Sequence, residues 1–124
     1  MTLYIDTAGG EEIFLSLSRG DIEIDAIRFA ARHEQAEKLL PAIEKILKKN
    51  KSKLSSLKAI AVNNTGDSFT ALRIGVVTAN ALAFALNISV SIKIPEGEVA
   101  PDSVKKFKNF SVVKPFYNRE PNIG

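Results

Sequence analysis

The stretch that decides the fold is LKAIAVNNTGDSFTALRIGVVTANALAFALNISVSI, residues 57–92. Leu57 to Val62 is a short, nearly continuous apolar run that stops at Asn63-Asn64, the pattern of a buried strand closed by turn residues. Thr65-Gly66-Asp67-Ser68 is a turn, and Asp67 or Ser68 is placed to accept a hydrogen bond from the free N–H groups that open the next helix. From there to about Leu86 the chain is apolar nearly all round, which implies burial against a sheet and against something else. Ala71, Gly75 and Ala79, four apart, make a stripe of small residues where another backbone can approach closely. Such spacing serves helix pairing in membranes and ordinary close packing on a sheet in a soluble chain. Asn87 is positioned as a C-terminal cap, and Ile88, Val90 and Ile92 alternate as the following strand.

Upstream, Leu3, Tyr4 and Ile5 form a short strand ending at Asp6, and Gly9-Gly10 signals a turn. Ile13, Leu15 and Leu17 alternate with Phe14, Ser16 and Ser18, and Arg19-Gly20-Asp21 turns the chain into a third strand carrying Ile22, Ile24, Ala26 and Phe29. From Glu34 the period changes. Ala36, Leu39, Leu40, Ile43, Ile46 and Leu47 recur three and four apart, the stripe of an amphipathic helix. Pro41 inside it removes a backbone donor, so a kink there, or a regular helix starting close to it, is expected. Asn50 to Ser56, polar and Lys-rich, is the loop that follows. The order β-β-β-α-β-α-β joins an antiparallel meander to parallel strands through helical crossovers. It predicts an α/β fold with a mixed sheet of the ribonuclease H-like type, which is also the half-domain of the actin-like ATPase superfamily that includes sugar kinases and Hsp70. Fold order alone does not fix function.

Beyond Lys93 the texture changes, with Pro95, Glu96, Gly97, Glu98, Pro101 and Asp102 forming a polar connector. Residues 1–93 are therefore expected to be the domain and 94–124 a connector and tail. The tail carries Phe107, Phe110, Val112, Val113, Phe116 and Tyr117, enough apolar surface to fold back onto the domain.

Composition bounds the chemistry. The chain has 124 residues, 45% hydrophobic and 25% charged, which suits a single core and not a large multidomain enzyme. The lack of cysteine excludes disulfides, thiolate metal sites and cysteine nucleophiles. His33 is the lone histidine, which excludes a multi-histidine site, and no nucleophile accompanies it between Arg32 and Glu34, as expected of a surface residue. No secretory signal is visible at Met1 to Asp6. The run Ile74 to Leu86, interrupted by Thr78 and Asn80, falls short of the roughly 20 residues of a membrane span, so a soluble, cytoplasmic protein with no membrane partner is expected.

The net charge of +3 is too small to announce a nucleic-acid binder, but its distribution is uneven. Residues 1–44 hold nine acids and four bases, and residues 45–124 hold five acids and thirteen bases. Lys45, Lys48, Lys49, Lys51, Lys53 and Lys58 form the densest patch, which suits phosphate or a solvated helix end and loop. No aromatic residue interleaves these lysines, so base stacking is not suggested.

Asp6, at the end of the first strand, is the residue of greatest interest for enzymatic chemistry, because a carboxylate there can hold a metal in this architecture. Nucleases of the ribonuclease H type need several carboxylates converging on two ions, and the later strands end without a well-placed acid. Asp6-Thr7-Ala8-Gly9-Gly10 faintly resembles the first phosphate loop of actin-like ATPases, with Ala8 where that loop usually has Gly. A metal- or nucleotide-dependent hydrolase using Asp6 is thus the alternative from the enzyme class.

The most specific motif is TGDSFTALRIG, residues 65–75, preceded by AIAV and followed by ALAFALNISV. It resembles the GPGSFTGLRIG signature of the TsaB (YeaZ) family, proteins that assist synthesis of threonylcarbamoyladenosine in tRNA. The resemblance extends to Asp6-Thr7, to EKLLPAIEKIL at 37–47 and to Ile60 to Val62, spanning about residues 1–92. Thr65-Gly66-Asp67 replaces Gly-Pro-Gly, Ala71 replaces the second Gly, and Gln35 stands where the family pattern usually has His. Family members usually carry a second domain of comparable size. PFYNREP, residues 115–121, resembles the family's Pro-x-Tyr-x-Arg ending, so the chain looks like a shortened form lacking most of that second domain.

The resemblance implies a non-catalytic partner, without cofactor or metal, that binds a TsaD-like transferase subunit through the two helices of the first domain. Through that complex it would meet a TsaE-like ATPase and, indirectly, tRNA. It implies Leu39, Leu40, Ile43 and Leu47 of the first helix as partner-binding residues. From the second helix it implies Phe69, Leu72, Arg73, Val76, Val77 and Asn80. Arg73 and Asn80, seven apart, fall on roughly one side and suit orienting a partner helix, or Arg73 simply pairs with a nearby acid. A homodimer through the same helices is the simpler alternative, and Val76→Glu is expected to break either assembly while leaving the monomer folded.

Overall fold

Alternation decides the first layer. Strands β1 (Thr2–Asp6), β2 (Glu12–Arg19) and β3 (Ile22–Ala30) form an antiparallel meander in which Leu17 pairs with Leu3 and Leu15 with Ile5. Helix α1 (Gln35–Lys49) follows, then a 3₁₀ turn at Leu54–Ser56, β4 (Ala59–Val62), β5 (Thr65–Gly66), α2 (Phe69–Leu86) and β6 (Ser89–Ile92). Short strands β7 (Val104–Lys106), β8 (Ser111–Val113) and β9 (Phe116–Tyr117) complete the order. The structure, a computed structural model, describes residues 1–66, 68–93, 104–106, 111–113 and 116–117. The connector from Pro95 to Asp102, together with Phe107 and Phe110, lies outside the described residues.

Strand β4 pairs in parallel with β1, and β6 in parallel with β4, so the main sheet runs β3-β2-β1-β4-β6. Strand β5 pairs in parallel with β9, and β7 antiparallel with β8. The mixed sheet with helical crossovers is the ribonuclease H-like arrangement that the element order predicts.

Leu3, Ile5, Ile13, Leu15, Leu17, Ile60 and Val62 have no solvent exposure and line one face of the sheet. Leu39, Ile43, Ile46 and Leu47 of α1 and Leu72, Val76, Ala79 and Ala83 of α2 join them in one apolar cluster. Helix α1 runs unbroken through Pro41, a solvent-exposed position in its second turn. The proline withholds one N–H from the Glu37 carbonyl, a loss that solvent makes good on an exposed face. Ser68 is the N-cap of α2, its Oγ accepting from the Ala71 N–H at 3.3 Å, and Asn87 closes the helix at φ 55°. Asp67, the alternative cap, lies outside the described residues.

The third strand departs from expectation. A bulge between Leu17 and Ser18 of β2 and their β3 partners leaves Ile24 unpaired, because Leu17 faces Asp25 while Ser18 faces Glu23. One extra residue reverses the alternation downstream. Ile27 and Phe29 therefore share the face of Leu15 and Ile13 and pack on the core, whereas Ile22 is 72% exposed and Ile24 is exposed too. The same shift aims Asp25 at the end of α1, where Asn50 Nδ2 donates to it at 2.9 Å and Lys49 Nζ lies 3.3 Å away.

Candidate functional site

The loop after β1 and the first turns of α2 fit together by close backbone approach. Thr7, fully buried, donates its hydroxyl to the Ala71 carbonyl at 2.5 Å, and the Ser68 N–H points at the Ala8 carbonyl at 3.4 Å. Glycine is required at two contacts. A Cβ at Gly66 would stand 2.6 Å from the Ala8 carbonyl oxygen, and one at Gly75 would overlap Thr7 Oγ1. Gly10 adds a left-handed turn at φ 85° against Ser68. The small-residue stripe of Ala71, Gly75, Ala79 and Ala83 is thus the inner side of α2, turned to its own sheet.

Asp6 organises that loop. Its Oδ1 accepts from the Ala8 N–H at 3.0 Å, and its Oδ2 accepts from Asn63 Nδ2 at 3.2 Å and from the Tyr4 hydroxyl at 3.3 Å. Burial first, then the charge and hydrogen bond of Asp6, push the Tyr4 phenol well above its ordinary range, so it stays a donor to the carboxylate. Both Asp6 oxygens are therefore engaged by the chain's own donors. Among the described residues, no three His, Cys, Asp or Glu side chains stand close enough to share a metal ion.

A cleft of about 600 Å³ opens beside this loop between the first turns of the two helices, lined by Gly10, Arg32, His33, Gln35, Thr70 and Ile74 among others. His33 is exposed on its rim in the left-handed region, φ 62°. Gln35 is 4% exposed, and its Nε2 reaches the Glu12 carbonyl at 3.4 Å, tying the start of α1 to β2.

The helix residues implied as partner-binding divide into two sets. Leu39, Ile43, Leu47, Leu72 and Val76 are at most 2% exposed and belong to the chain's own core. Their apolar character, which suggested an interface, is already used by the sheet. Val76→Glu would put a charge into this core, so it unfolds the monomer instead of leaving it folded. Asn80 is also committed, its Nδ2 donating to the Val113 carbonyl at 2.8 Å and its Oδ1 accepting from the Val113 N–H at 2.7 Å. The two hydrogen bonds clasp β8 to α2.

Leu40, Phe69, Arg73 and Val77 are exposed, with Val77 at 58%. Steps of four from Phe69 pass through Arg73, Val77 and Ala81, all exposed, and Phe84 at 63% exposure falls on the same side. The Arg73 guanidinium lies 5.7 Å from the Phe69 ring centre, so it caps an aromatic face. Phe84 was legible only through that helical spacing, since a helix apolar on every side shows no contrast between inner and outer faces. Leu40 stands one turn beyond Ala36, which lines the interhelical cleft with Ile74. By length and composition α2 is apolar enough to cross a membrane, yet it lies on the sheet as the core helix of an α/β domain.

Fold and site define an α/β domain of ribonuclease H-like architecture whose first loop is locked to a glycine-containing helix and whose second helix shows an apolar outer stripe. The family profile of TsaD, tRNA N6-adenosine threonylcarbamoyltransferase, matches residues 28–95, more than half of the chain. The chain belongs to that tRNA-modification family. Among solved structures it resembles YeaZ from Pseudomonas aeruginosa, at 27% identity and a TM-score of 0.68 over 74% of this chain and 42% of YeaZ. A second Pseudomonas aeruginosa structure, described by its similarity to peptidase YEAZ, matches with the same values. RuvC of T. thermophilus, solved with a Holliday junction substrate, shares the fold at 13% identity and a TM-score of 0.50, covering 76% of this chain and 64% of RuvC. No curated protein matches the sequence significantly. The chain thus spans about two fifths of the length of the YeaZ proteins it resembles, and it is TsaB-like over that span.

Proposed function

We propose that this chain is a non-catalytic scaffold subunit that binds a TsaD-like transferase and supports threonylcarbamoyladenosine modification of tRNA at the adenosine next to the anticodon. The observation that carries the proposal is the outer stripe of α2. Phe69, Val77 and Phe84 remain exposed on a helix whose inner side is fully used by the sheet. Burying an apolar side chain of this size stabilises by roughly 1.5–3 kcal/mol, so a partner helix laid along the stripe has a real driving force. Leu40 on α1 extends the surface and Arg73 gives it a polar mark for register. The buried leucines beneath hold the two helices in place and do not touch the partner. The commitment of Asp6 to Tyr4, Asn63 and Ala8 supports the non-catalytic reading.

The complex places the chain near a TsaE-like ATPase and brings tRNA to it through the transferase, in the cytoplasm. Co-expression with the TsaD-like subunit of the same organism is expected to give one stable heteromer. Two separate peaks at micromolar concentration would exclude the proposal, and a homodimer resistant to the transferase would assign the stripe to self-association.

A further inference from the structure

Five exposed lysines gather at one end of the sheet. The N-terminal ends of β1, β4 and β6 lie together, with Thr2 beside Ala59 and Ala59 beside Ser89. The end of α1 joins them through the Asn50 and Lys49 contacts with Asp25, and the Lys58 N–H donates to the Met1 carbonyl at 2.8 Å. Lys48, Lys49, Lys51, Lys53 and Lys58 are exposed at this end. Of these five, only Lys49 makes an ion pair among the described residues. Acids are present at the same end in Asp21, Glu23 and Asp25, and the one seated against the lysines, Asp25, is the one that Lys49 takes.

Two features separate this array from an ordinary solvated helix end. Lys48 and Lys49 sit in the last turn of α1, where the helix dipole alone accounts for cations. Lys51, Lys53 and Lys58 lie beyond the helix and gain nothing from it. Their backbone is also fixed: the Lys51 N–H donates to the Lys48 carbonyl at 3.0 Å, the Ser52 N–H to Leu47 at 2.8 Å, and Leu57 is buried at 2%. Cations on a pinned loop meet a regularly charged polyanion with less ordering cost than the same cations on a mobile one.

We propose that this basic end contacts the phosphate backbone of tRNA directly, independently of the α2 stripe. The inference rests on the chain's membership in a tRNA-modification family, but not on transferase binding. Lysines without interleaved aromatics recognise phosphate charge and not base sequence. The contact therefore supplies affinity and position, and leaves choice of tRNA to other parts of the assembly.

The test is anisotropy of a fluorescein-labelled tRNA transcript titrated with the full chain, without transferase, between about 50 and 200 mM salt. Neutralising Lys51, Lys53 and Lys58 together to Gln is expected to weaken binding at least tenfold at the lowest salt. It is also expected to reduce the slope of log K against log salt by about 2, near the 0.7–0.9 expected per lost phosphate contact. The control Arg28→Gln/Arg32→Gln/Lys38→Gln changes net charge equally at the opposite end and is expected to cost less than threefold. Equal losses in both variants, or no loss in the lysine variant, would overturn the inference. Binding to phosphatidylserine vesicles with none to tRNA would overturn it in favour of a membrane. Circular-dichroism melts of both variants confirm that folded protein is compared.

Discussion

Thr7 fills the space that a side chain at residue 75 would need: its hydroxyl donates to the Ala71 carbonyl at 2.5 Å, and a Cβ on Gly75 would overlap that same oxygen. The glycine in the signature TGDSFTALRIG is there to let the loop after β1 touch the helix backbone, and not to bend the helix. Gly75→Ala gains about 1 kcal/mol of helix propensity but overpacks a buried contact, at a cost of about 1–3 kcal/mol. A net loss of up to about 2 kcal/mol is expected in urea unfolding. Adding Thr7→Ala should recover part of it, giving a coupling energy of at least about 0.5 kcal/mol in the double-mutant cycle. Additive losses would show that the two residues do not share the space.

Asn80 and Val113 form the second long-range clasp, with two hydrogen bonds of 2.8 and 2.7 Å between one side-chain amide and one peptide unit. Asn80→Ala leaves the Val113 N–H and carbonyl without these partners, at an expected cost of about 1–3 kcal/mol. Faster amide exchange at Val113, with the β4 amides still protected, would be the local signature of losing the clasp.

How much of this was legible beforehand depends on whether a residue's partner is local. Ser68 and Asn87 bound α2 because caps are read from neighbours a few positions away, and Ile13, Leu15 and Leu17 declare β2 by alternation alone. The bulge at Ile24 was hidden, because Ile22, Ile24 and Ala26 alternate convincingly and only pairing with β2 breaks their phase. The division of α2 into inner and outer sides was hidden for a related reason. Leu72 and Val76 look like Phe69 and Val77 until the sheet takes one pair and leaves the other. Asn80 reads from its spacing with Arg73 as a residue facing a partner helix, since its actual partner lies 33 positions away.

Asp25 makes stability depend on acid pH. The Asn50 amide, foremost, and then the Ala26 N–H and Lys49 ammonium hold its carboxyl below the ordinary carboxylate range, against partial desolvation. A depressed folded-state pKa contributes stability that is fully present above the unfolded value of about 3.9 and is lost as pH falls through the folded value. In the Asp25→Asn protein, the fall in melting temperature below about pH 4 should be shallower than in the unmodified chain. An unchanged acid slope would show that Asp25 contributes nothing to it.

Co-purification of the chain with the TsaD-like subunit, comparing Val77→Glu and Phe84→Glu with the unmodified protein, tests the scaffold role most directly. Val77 is more than half exposed, so Val77→Glu is expected to melt within about 0.5 kcal/mol of the original. Val76→Glu, by contrast, places a charge at a site 1% exposed and is expected to unfold the domain. The expected result is a single heteromer by size exclusion with light scattering for the unmodified chain, and separate species for the folded Val77→Glu and Phe84→Glu variants. Undiminished co-elution of both variants would contradict the assignment of the α2 stripe to the transferase.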